Sequence, residues 1–292
     1  MTKVNLTEKL LAEIREKYGR GSVSLGSEVK SPERLSTGLK ALDEILGGGW
    51  PKGRISEVWG PNNAGKSTLA LVTAAATQRH FLAGTGFAHC DIPVMWFDQE
   101  NTYEPIWAAR LGIDPLRLRH HGPMAAEDPG DLILQYVREN VPLIVVDSVI
   151  TMIPEKSLLR ASGESEYSPV ARFLSSWLPK VVVLQGRSPT VVILVNQVRD
   201  RIGFFFGETE RSPGGHVLSH LETVKLKVAR RGFIKKGDVK VGYEAAVKIV
   251  KSKVGGETRE MRFYVSFAQG VLESRTDAEV APEGLETAPD ED

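Results

Sequence analysis

The sequence predicts an α/β protein with a mostly parallel central sheet, helices on both of its faces, antiparallel strands at one edge and an N-terminal helix. Four near-continuous apolar stretches alternate with helix-forming segments, as in parallel strands buried on both faces; these are residues 54–60, 94–100, 143–147 and 191–197. Beyond about Leu221, the strand-like stretches are separated by turn signals, which indicates antiparallel strands; these are residues 221–229, 243–250 and 260–267.

The first predicted element is a short amphipathic helix near the start of the chain. Asn5 and Glu8 form a helix-capping pattern, apolar residues recur at every fourth position, and Gly19 is a stop signal. An apolar stripe on such a helix needs a partner surface. We therefore expect residues 1–34 to be an oligomerisation helix with a linker.

The composition excludes several classes of protein. The 292 residues are 41% hydrophobic and 25% charged, which is ordinary for a folded domain and unlike collagen or a disordered chain. Cys90 is the single cysteine, so no internal disulfide can form. No apolar run is long enough to cross a membrane, and the charged N-terminus lacks a signal core, so we expect a cytoplasmic protein without a membrane partner.

The net charge of zero conceals an uneven distribution. Residues 273–292 contain eight acidic residues and one basic residue. The net negative charge of this segment is therefore balanced by an equal net positive charge on the rest of the chain. A basic body suits a partner rich in phosphates. We expect residues 35–272 to form the core domain and residues 273–292 to be a disordered acidic tail.

The most specific motif is a glycine-rich loop that matches G-x-x-x-x-G-K-S and lies between a predicted strand and the helix predicted at 68–78. The backbone amides of such a loop surround a phosphate, its lysine reaches the outer phosphates, and its hydroxyl ligates Mg²⁺. The motif therefore predicts a nucleotide and Mg²⁺ as cofactors, with the nucleotide bound by Gly60, Pro61, Asn62, Asn63, Ala64, Gly65, Lys66, Ser67 and Thr68.

Acidic residues end two other predicted strands. Asp147 follows an apolar strand and is the expected carboxylate partner of Mg²⁺ alongside Ser67, although an acid in this place is often only a strand-end cap. Asp98 and Glu100 end another strand, and either could deprotonate a water that attacks the γ-phosphate. The residues alone do not choose between these two carboxylates.

A segment rich in aromatic residues, arginines and glycines follows the last predicted parallel strand. Its composition favours an exposed loop over a core strand, and apolar side chains beside arginines suit contact with nucleic acid bases and phosphates. The alternative is a hydrophobic loop packed on the body or at a subunit interface. The candidate DNA-binding residues of the loop are Arg199, Arg201, Ile202, Phe204, Phe205, Phe206, Arg211, Gly214 and Gly215.

From residue 8 to residue 272 the sequence resembles the bacterial RecA recombinases and their phage relatives. The resemblance extends well beyond the phosphate loop, and the order and spacing of its motifs agree throughout. The matching stretches are residues 35–43, 47–49, 98–100 with Pro105, 145–148, 171–172, 196–199, 202–203, 206–207, 214–215 and 250–253. The resemblance implies a RecA-like P-loop NTPase core and implies that the nucleotide is ATP.

The resemblance also implies roles for individual residues. It makes Glu100 the base that activates water, and Gln197 the sensor that links the γ-phosphate to the loop that follows. Lys251 and Lys253 alternate on a predicted strand and would reach the nucleotide of a neighbouring subunit, in the manner of an arginine finger. Without the resemblance, these two lysines would be read as a solvated edge strand, and Gln197 as a strand-end cap.

Further positions follow from the same resemblance. Trp107 and Phe267 fall where the family has aromatic residues around adenine, and Glu104 where it has an acid, although ordinary core packing is the alternative for the aromatic pair. A first DNA loop is expected at 154–168, with Arg172 on the helix that begins near Pro169. Tyr167 is a candidate base contact, and local packing is the alternative for it. The His89–Cys90 and His120–His121 pairs lack metal-ligand spacing and are interpreted as structural.

Taken together, these features predict an ATP-dependent DNA recombinase. It would form a helical homo-oligomeric filament on single-stranded DNA and exchange strands with homologous double-stranded DNA, with single-strand-binding or loader proteins as further partners. The alternatives are a ring-forming motor or helicase on the same core, and a regulatory DNA-binding accessory with little catalysis of its own. The paired lysines disfavour the motor, and the intact Lys66, Glu100 and Gln197 disfavour the accessory.

The sequence departs from the bacterial family in three places. Ser219 and His220 stand where the family usually has a basic and an aromatic residue, so the coupling of nucleotide state to the DNA loop is expected to differ. The stretch 83–93 is longer than usual. We expect the C-terminal globular domain of bacterial RecA to be absent and the acidic tail to take its place, which resembles the reduced plan of phage recombinases.

Overall fold

The computed structural model describes residues 6–19, 22–82, 92–161, 168–200, 210–211, 213–255 and 259–272. The chain forms two compact units, one over 1–33 and one over 34–292. In the first unit, helix α1 spans Leu6–Tyr18, and the Arg15 guanidinium lies 3.4 Å from the Glu28 carboxylate. The predicted N-terminal helix is therefore present.

The second unit contains the remaining helices and the strands. The helices are α2 (Lys40–Leu46), α3 (Lys66–Leu82), α4 (Pro105–Arg110), α5 (Glu127–Arg138), α6 (Glu155–Leu158), α7 (Pro169–Gln185) and α8 (Gly215–Leu221). The strands are β1 (Arg34–Leu35), β2 (Trp50–Pro51), β3 (Ile55–Gly60), β4 (Val94–Asp98), β5 (Leu118–His121), β6 (Leu143–Asp147), β7 (Val191–Gln197), β8 (Arg199–Asp200), β9 (Glu210–Arg211), β10 (Val224–Lys236), β11 (Val239–Ser252), β12 (Glu260–Ser266) and β13 (Gly270–Leu272).

Over the described residues, the central sheet has nine strands in the order β13-β12-β11-β10-β3-β7-β6-β4-β5. Strands β10, β3, β7, β6, β4 and β5 are mutually parallel, whereas β11, β12 and β13 continue the sheet in antiparallel fashion. The predicted α/β class, with antiparallel strands at one edge, is confirmed. No helix among the described residues is long and apolar enough to span a membrane.

Both faces of the central parallel strands β3, β4 and β6 are buried, as the continuous apolar stretches predict. Val145 of β6 packs in the cluster that contains Leu69 and Leu71 of α3. Its neighbours Ile144 and Val146 point to the opposite face and join the cluster formed by α5 and α7. The parallel strands therefore end at one common edge between two helical layers, which is where α/β proteins place their ligand sites.

Three details of the sequence prediction are wrong. Strand β10 pairs with β3 in parallel, so the antiparallel arrangement begins only at β11. Strand β4 ends at Asp98, two residues before the predicted end, because residues 99 and 100 turn away from the sheet. The edge strand β5 was not predicted, since Leu118–His121 is short and mostly polar.

Candidate nucleotide site

The loop between β3 and α3 is shaped by two glycines. A Cβ atom on Gly60 would lie 2.1 Å from the Val228 carbonyl oxygen, so only glycine allows β10 to approach so closely. Gly65 has φ +98°, a conformation that side chains disfavour, and a Cβ there would meet the Tyr243 hydroxyl at 3.2 Å. The loop thus directs its backbone toward the open cleft and passes straight into the N-terminus of α3.

This loop forms one wall of a cleft of about 700 Å³ at the common edge of the parallel strands. The volume lies in the range that small-molecule sites occupy. Most of the residues predicted from the sequence to hold the nucleotide line this cleft: Asn62, Asn63, Ala64, Gly65, Lys66, Ser67, Thr68, Glu100, Glu104, Trp107, Asp147, Gln197 and Phe267.

Lys66 and Asp147 are the charged groups at the bottom of the cleft. The Lys66 ammonium donates to the Pro61 carbonyl at 2.7 Å, and burial lowers its pKa although Asp147 and Glu100 oppose the shift. Burial raises the pKa of Asp147 to about 6, while a hydrogen bond from Ser67 and the charge of Lys66 act in the opposite direction. The site therefore contains a buried carboxylate that a cation would stabilise in its charged form.

The arrangement fits a magnesium nucleotide. The Ser67 hydroxyl and the Asp147 carboxylate offer the oxygen ligands that Mg²⁺ prefers, and they lie beside the lysine that would face the phosphates. The backbone amides at the start of α3 add partial positive charge. Among the described residues, no group of three or more His, Cys, Asp or Glu side chains could hold a metal ion by itself.

Glu100 and Gln197 contact each other across the cleft. The Gln197 Nε2 donates to Glu100 Oε1 at 2.8 Å, and the Ser148 hydroxyl donates to the same oxygen. Asp98, the other candidate base, accepts from the backbone amides of Thr102 and Tyr103 at 3.0 and 2.8 Å and is 2% exposed. Asp98 thus stabilises a turn, whereas Glu100 faces the cleft.

The far end of the cleft is lined by aromatic side chains and an acid. Glu104 caps α4 by accepting from the amides of Ile106 and Trp107, and Trp107 and Phe267 lie along the wall. Tyr243, which the sequence interpretation missed, also lines the cleft, and its hydroxyl donates to Thr68 Oγ1 at 3.0 Å. Nothing in the sequence marks this tyrosine, which lies in a predicted edge strand, as a cleft residue. Only the order of the strands in the sheet brings β11 close to the loop.

Lys251 and Lys253 do not line the cleft of their own protomer. Their ammonium groups donate to the carbonyl oxygens of Ser219 and His220, respectively, at the end of α8. Strand β11 ends at Ser252, so Lys253 is just beyond the strand on which it was predicted. The two lysines nonetheless converge on one short stretch of backbone.

The predicted DNA-binding residues are described only in part. Tyr167, Arg201, Ile202, Phe204, Phe205 and Phe206 lie outside the described residues, as do His89 and Cys90. The backbones of Arg199 and Arg211 pair as β8 and β9, so the two ends of this segment meet directly beyond β7. Gly214 and Gly215 both have positive φ and begin α8, and Arg172 is exposed on α7.

The second histidine pair has structural contacts. His121 stacks on Phe97 with ring centroids 4.5 Å apart, its Nε2 lies 3.2 Å from the Tyr136 hydroxyl, and burial lowers its pKa. The His120 Nε2 lies 3.4 Å from the Asp98 carboxylate. Both rings therefore pack beside the outer parallel strands.

A parallel sheet with a glycine-rich loop between strand and helix, a basic side chain at the end of that loop, and a carboxylate at the end of β6, separated from β3 by β7, defines a P-loop NTPase core. The RecA N-terminal domain family matches residues 5–272, and the chain belongs to this family. It is 35% identical over 268 residues to Protein RecA of Ectopseudomonas oleovorans, covering 90% of this chain and 74% of that protein. It is 36% identical over 266 residues to Protein RecA of Allochromatium vinosum, with 89% and 74% covered.

Proposed function

We propose that this chain is a DNA-dependent ATPase and recombinase that assembles as a filament on single-stranded DNA and exchanges strands with homologous duplex DNA. One observation carries the proposal. Glu100, at the cleft, is hydrogen-bonded to Gln197, the last residue of β7, and β8, which opens the candidate DNA segment, begins two residues later. The side chain beside the nucleotide and the candidate DNA segment are thus linked through one strand end.

In this proposal, Glu100 accepts the proton of the attacking water. Its Oε1 is already engaged by Gln197 and Ser148, and we assign Oε2 to the water. Lys66 neutralises charge on the phosphates, and Ser67 with Asp147 holds Mg²⁺. Bound Mg²⁺ would polarise the phosphate, and the glycine-rich loop and the start of α3 would hold that phosphate in place.

Lys66 and Arg230 are the cationic side chains that line the cleft among the described residues, and the charge that develops on the transferred phosphate would be stabilised by further cations. Lys251 and Lys253 of one protomer are therefore assigned to the nucleotide of the adjoining protomer. Hydrolysis then requires neighbours, which supports a filament over a monomeric enzyme. Helix α1, with its half-exposed apolar stripe, is assigned to the contact between protomers, the segment 199–215 to single-stranded DNA, and the acidic segment 273–292 to a separate tail.

Strand exchange by the purified protein with ATP, Mg²⁺, single-stranded DNA and a homologous duplex tests the proposal. We expect exchange by the wild type and none by Lys66→Ala, and Lys40→Ala, an exposed lysine on α2, serves as the matched control. DNA-stimulated hydrolysis without exchange would instead favour the ring motor. DNA binding without hydrolysis would favour the accessory protein.

A further inference from the structure

Two buried carboxylates lie side by side at the end of α8, away from the nucleotide cleft. Glu57 of β3 is 0% exposed, and Glu222, which follows α8, is 1% exposed. The Lys225 ammonium lies 2.7 Å from Glu57 Oε2 and 3.9 Å from Glu222 Oε1. Burying a carboxylate raises the free energy of the folded state unless the carboxylate is paired, so these two glutamates require specific partners or a specific role.

The second cation in contact with the pair is Lys251. Its ammonium lies 3.5 Å from Glu222 Oε1 and also donates to the Ser219 carbonyl, so it has one charged and one neutral acceptor. Lys253 follows with a bond to His220, and its backbone amide donates to Thr223 O at 2.9 Å. The end of β11 is therefore fixed to the stretch 219–223, where Glu222 is the anionic contact of Lys251 among the described residues.

The carboxylate pair is also connected to the strand end beside the cleft. Asn196 Nδ2 donates to Glu57 Oε1 and to the Pro213 carbonyl, each at 2.7 Å. The Asn196 side-chain oxygen accepts from the backbone amide of Gln197 at 2.9 Å. A continuous chain of polar contacts thus runs from Gln197 to Glu57, and the Glu57–Glu222 pair continues it to Lys251.

The ionisation of Glu222 depends on this environment. Burial and the neighbouring Glu57 together raise the pKa of Glu222 to about 8, against the opposing charges of Lys225 and Lys251. The charged groups that face Glu222 are thus Glu57 from β3, Lys225 from β10 and Lys251 from β11. Protonated Glu222 attracts the Lys251 ammonium less strongly than ionised Glu222 does. The attraction between Glu222 and Lys251 therefore strengthens as the pH rises and Glu222 ionises.

We propose that Glu222 is a positioning residue whose carboxylate orients Lys251 toward the nucleotide of the adjoining protomer. The inference rests on the proposed function, because it assumes that Lys251 acts across a protomer interface. It goes beyond that function by giving the lysine a partner, and by connecting that partner through Glu57 and Asn196 to the protomer's own cleft.

Glu222→Gln, which keeps the size of the side chain but not its charge, tests the inference. We measure DNA-stimulated ATPase from pH 6.5 to 9. At low pH the kcat of the variant should equal that of the wild type. At pH 9 its kcat should be lower by on the order of tenfold or more, because moving a catalytic group out of its productive position reduces the rate steeply. Its KM for ATP should be unchanged, since its own cleft is intact. Glu244→Gln, whose carboxylate pairs with Arg262 at 2.7 Å on the same sheet, is the matched control.

Glu222→Asp keeps the carboxylate and should retain more activity than Glu222→Gln at pH 9. An equal loss in both variants, a deficit that is the same at every pH, or a kcat equal to that of the wild type at pH 9 would each overturn the role of Glu222. A wild-type protein without DNA-stimulated hydrolysis would contradict the proposed function itself. Activity in the wild type with an unaffected Glu222→Gln contradicts only this inference.

Discussion

The Gln197 amide donates to the Glu100 carboxylate at 2.8 Å, which joins the last residue of β7 to the candidate general base. Both side chains are partly buried at the common edge of the parallel strands. A single polar contact therefore connects the place where a phosphate would be cleaved to the chain segment that leaves the sheet. This contact is the physical basis for expecting hydrolysis and DNA binding to depend on each other.

Removing this amide should uncouple the two activities. Gln197→Ala is expected to retain ATP binding but to lose DNA stimulation of hydrolysis by about tenfold or more, because an interaction made in the transition state is removed. Hydrolysis with and without single-stranded DNA, together with ATP affinity, measures the effect. Gln135→Ala, at an exposed position on α5, is the control. Full stimulation in Gln197→Ala would contradict the coupling.

The buried Asp147 makes a prediction about pH. Burial raises the pKa of Asp147 in the folded protein to about 6, whereas the pKa of an ordinary aspartate is 3.8. Its contribution to stability therefore falls as the pH rises through this window and is unfavourable above it. Without nucleotide, Asp147→Asn should be more stable than the wild type at pH 8 by about 1–3 kcal/mol, with a smaller difference near pH 4.

Thermal unfolding at the two pH values tests this prediction, with and without Mg²⁺ and ATP. Adding the magnesium nucleotide should stabilise the wild type more than Asp147→Asn, because the variant lacks an anionic ligand. A difference between the two proteins that does not change with pH would contradict the predicted titration of Asp147.

The paired lysines are expected to act on hydrolysis and not on affinity. Lys251→Ala combined with Lys253→Ala should abolish DNA-stimulated ATPase while leaving the binding of ATP nearly unchanged, because neither lysine lines the protomer's own cleft. Lys40→Ala combined with Lys180→Ala removes two exposed lysines elsewhere and should have no effect. Retained activity in the Lys251 and Lys253 variant would refute a site shared between protomers.

The aromatic segment beyond β8 makes a prediction that rests on sequence alone, since Phe206 lies outside the described residues. Phe206→Ala should weaken binding to single-stranded DNA by about 1–3 kcal/mol, the usual contribution of one stacked base. Fluorescence anisotropy with a labelled oligonucleotide measures the loss. Leu116→Ala, an apolar side chain that is 86% exposed, is the control. Unchanged affinity would remove Phe206 from the DNA site.

Sequence patterns predict most of this fold because the parallel strands are apolar on both faces. Residues 143–147 and 191–197 are strands with the predicted bounds, and the glycine-rich loop lies between a strand and a helix as its motif requires. The short polar strand β5 has no such pattern. Its residues are held in place by pairing with β4, and pairing with a distant strand leaves little trace in a local window.

The candidate site is predictable where a motif is local and not where it depends on strand order. Lys66 and Ser67 belong to one contiguous motif, but Tyr243 reaches the loop only because β11 lies one strand beyond β10. The choice between Asp98 and Glu100 is of the same kind. The acid at the end of β4 caps a turn, and the next one faces the cleft, a difference that depends on where the strand stops.

Mixing two inactive variants tests most directly whether the nucleotide is shared between protomers. Glu100→Gln lacks the proposed base but carries both lysines, whereas the Lys251→Ala and Lys253→Ala variant has the base but lacks the lysines. Each variant alone should hydrolyse no ATP in the presence of single-stranded DNA. An equal mixture should recover up to about a quarter of the wild-type rate, since about one interface in four then joins an intact base to intact lysines. A mixture that hydrolyses no more ATP than either variant alone, although both variants bind ATP and DNA, would contradict the account.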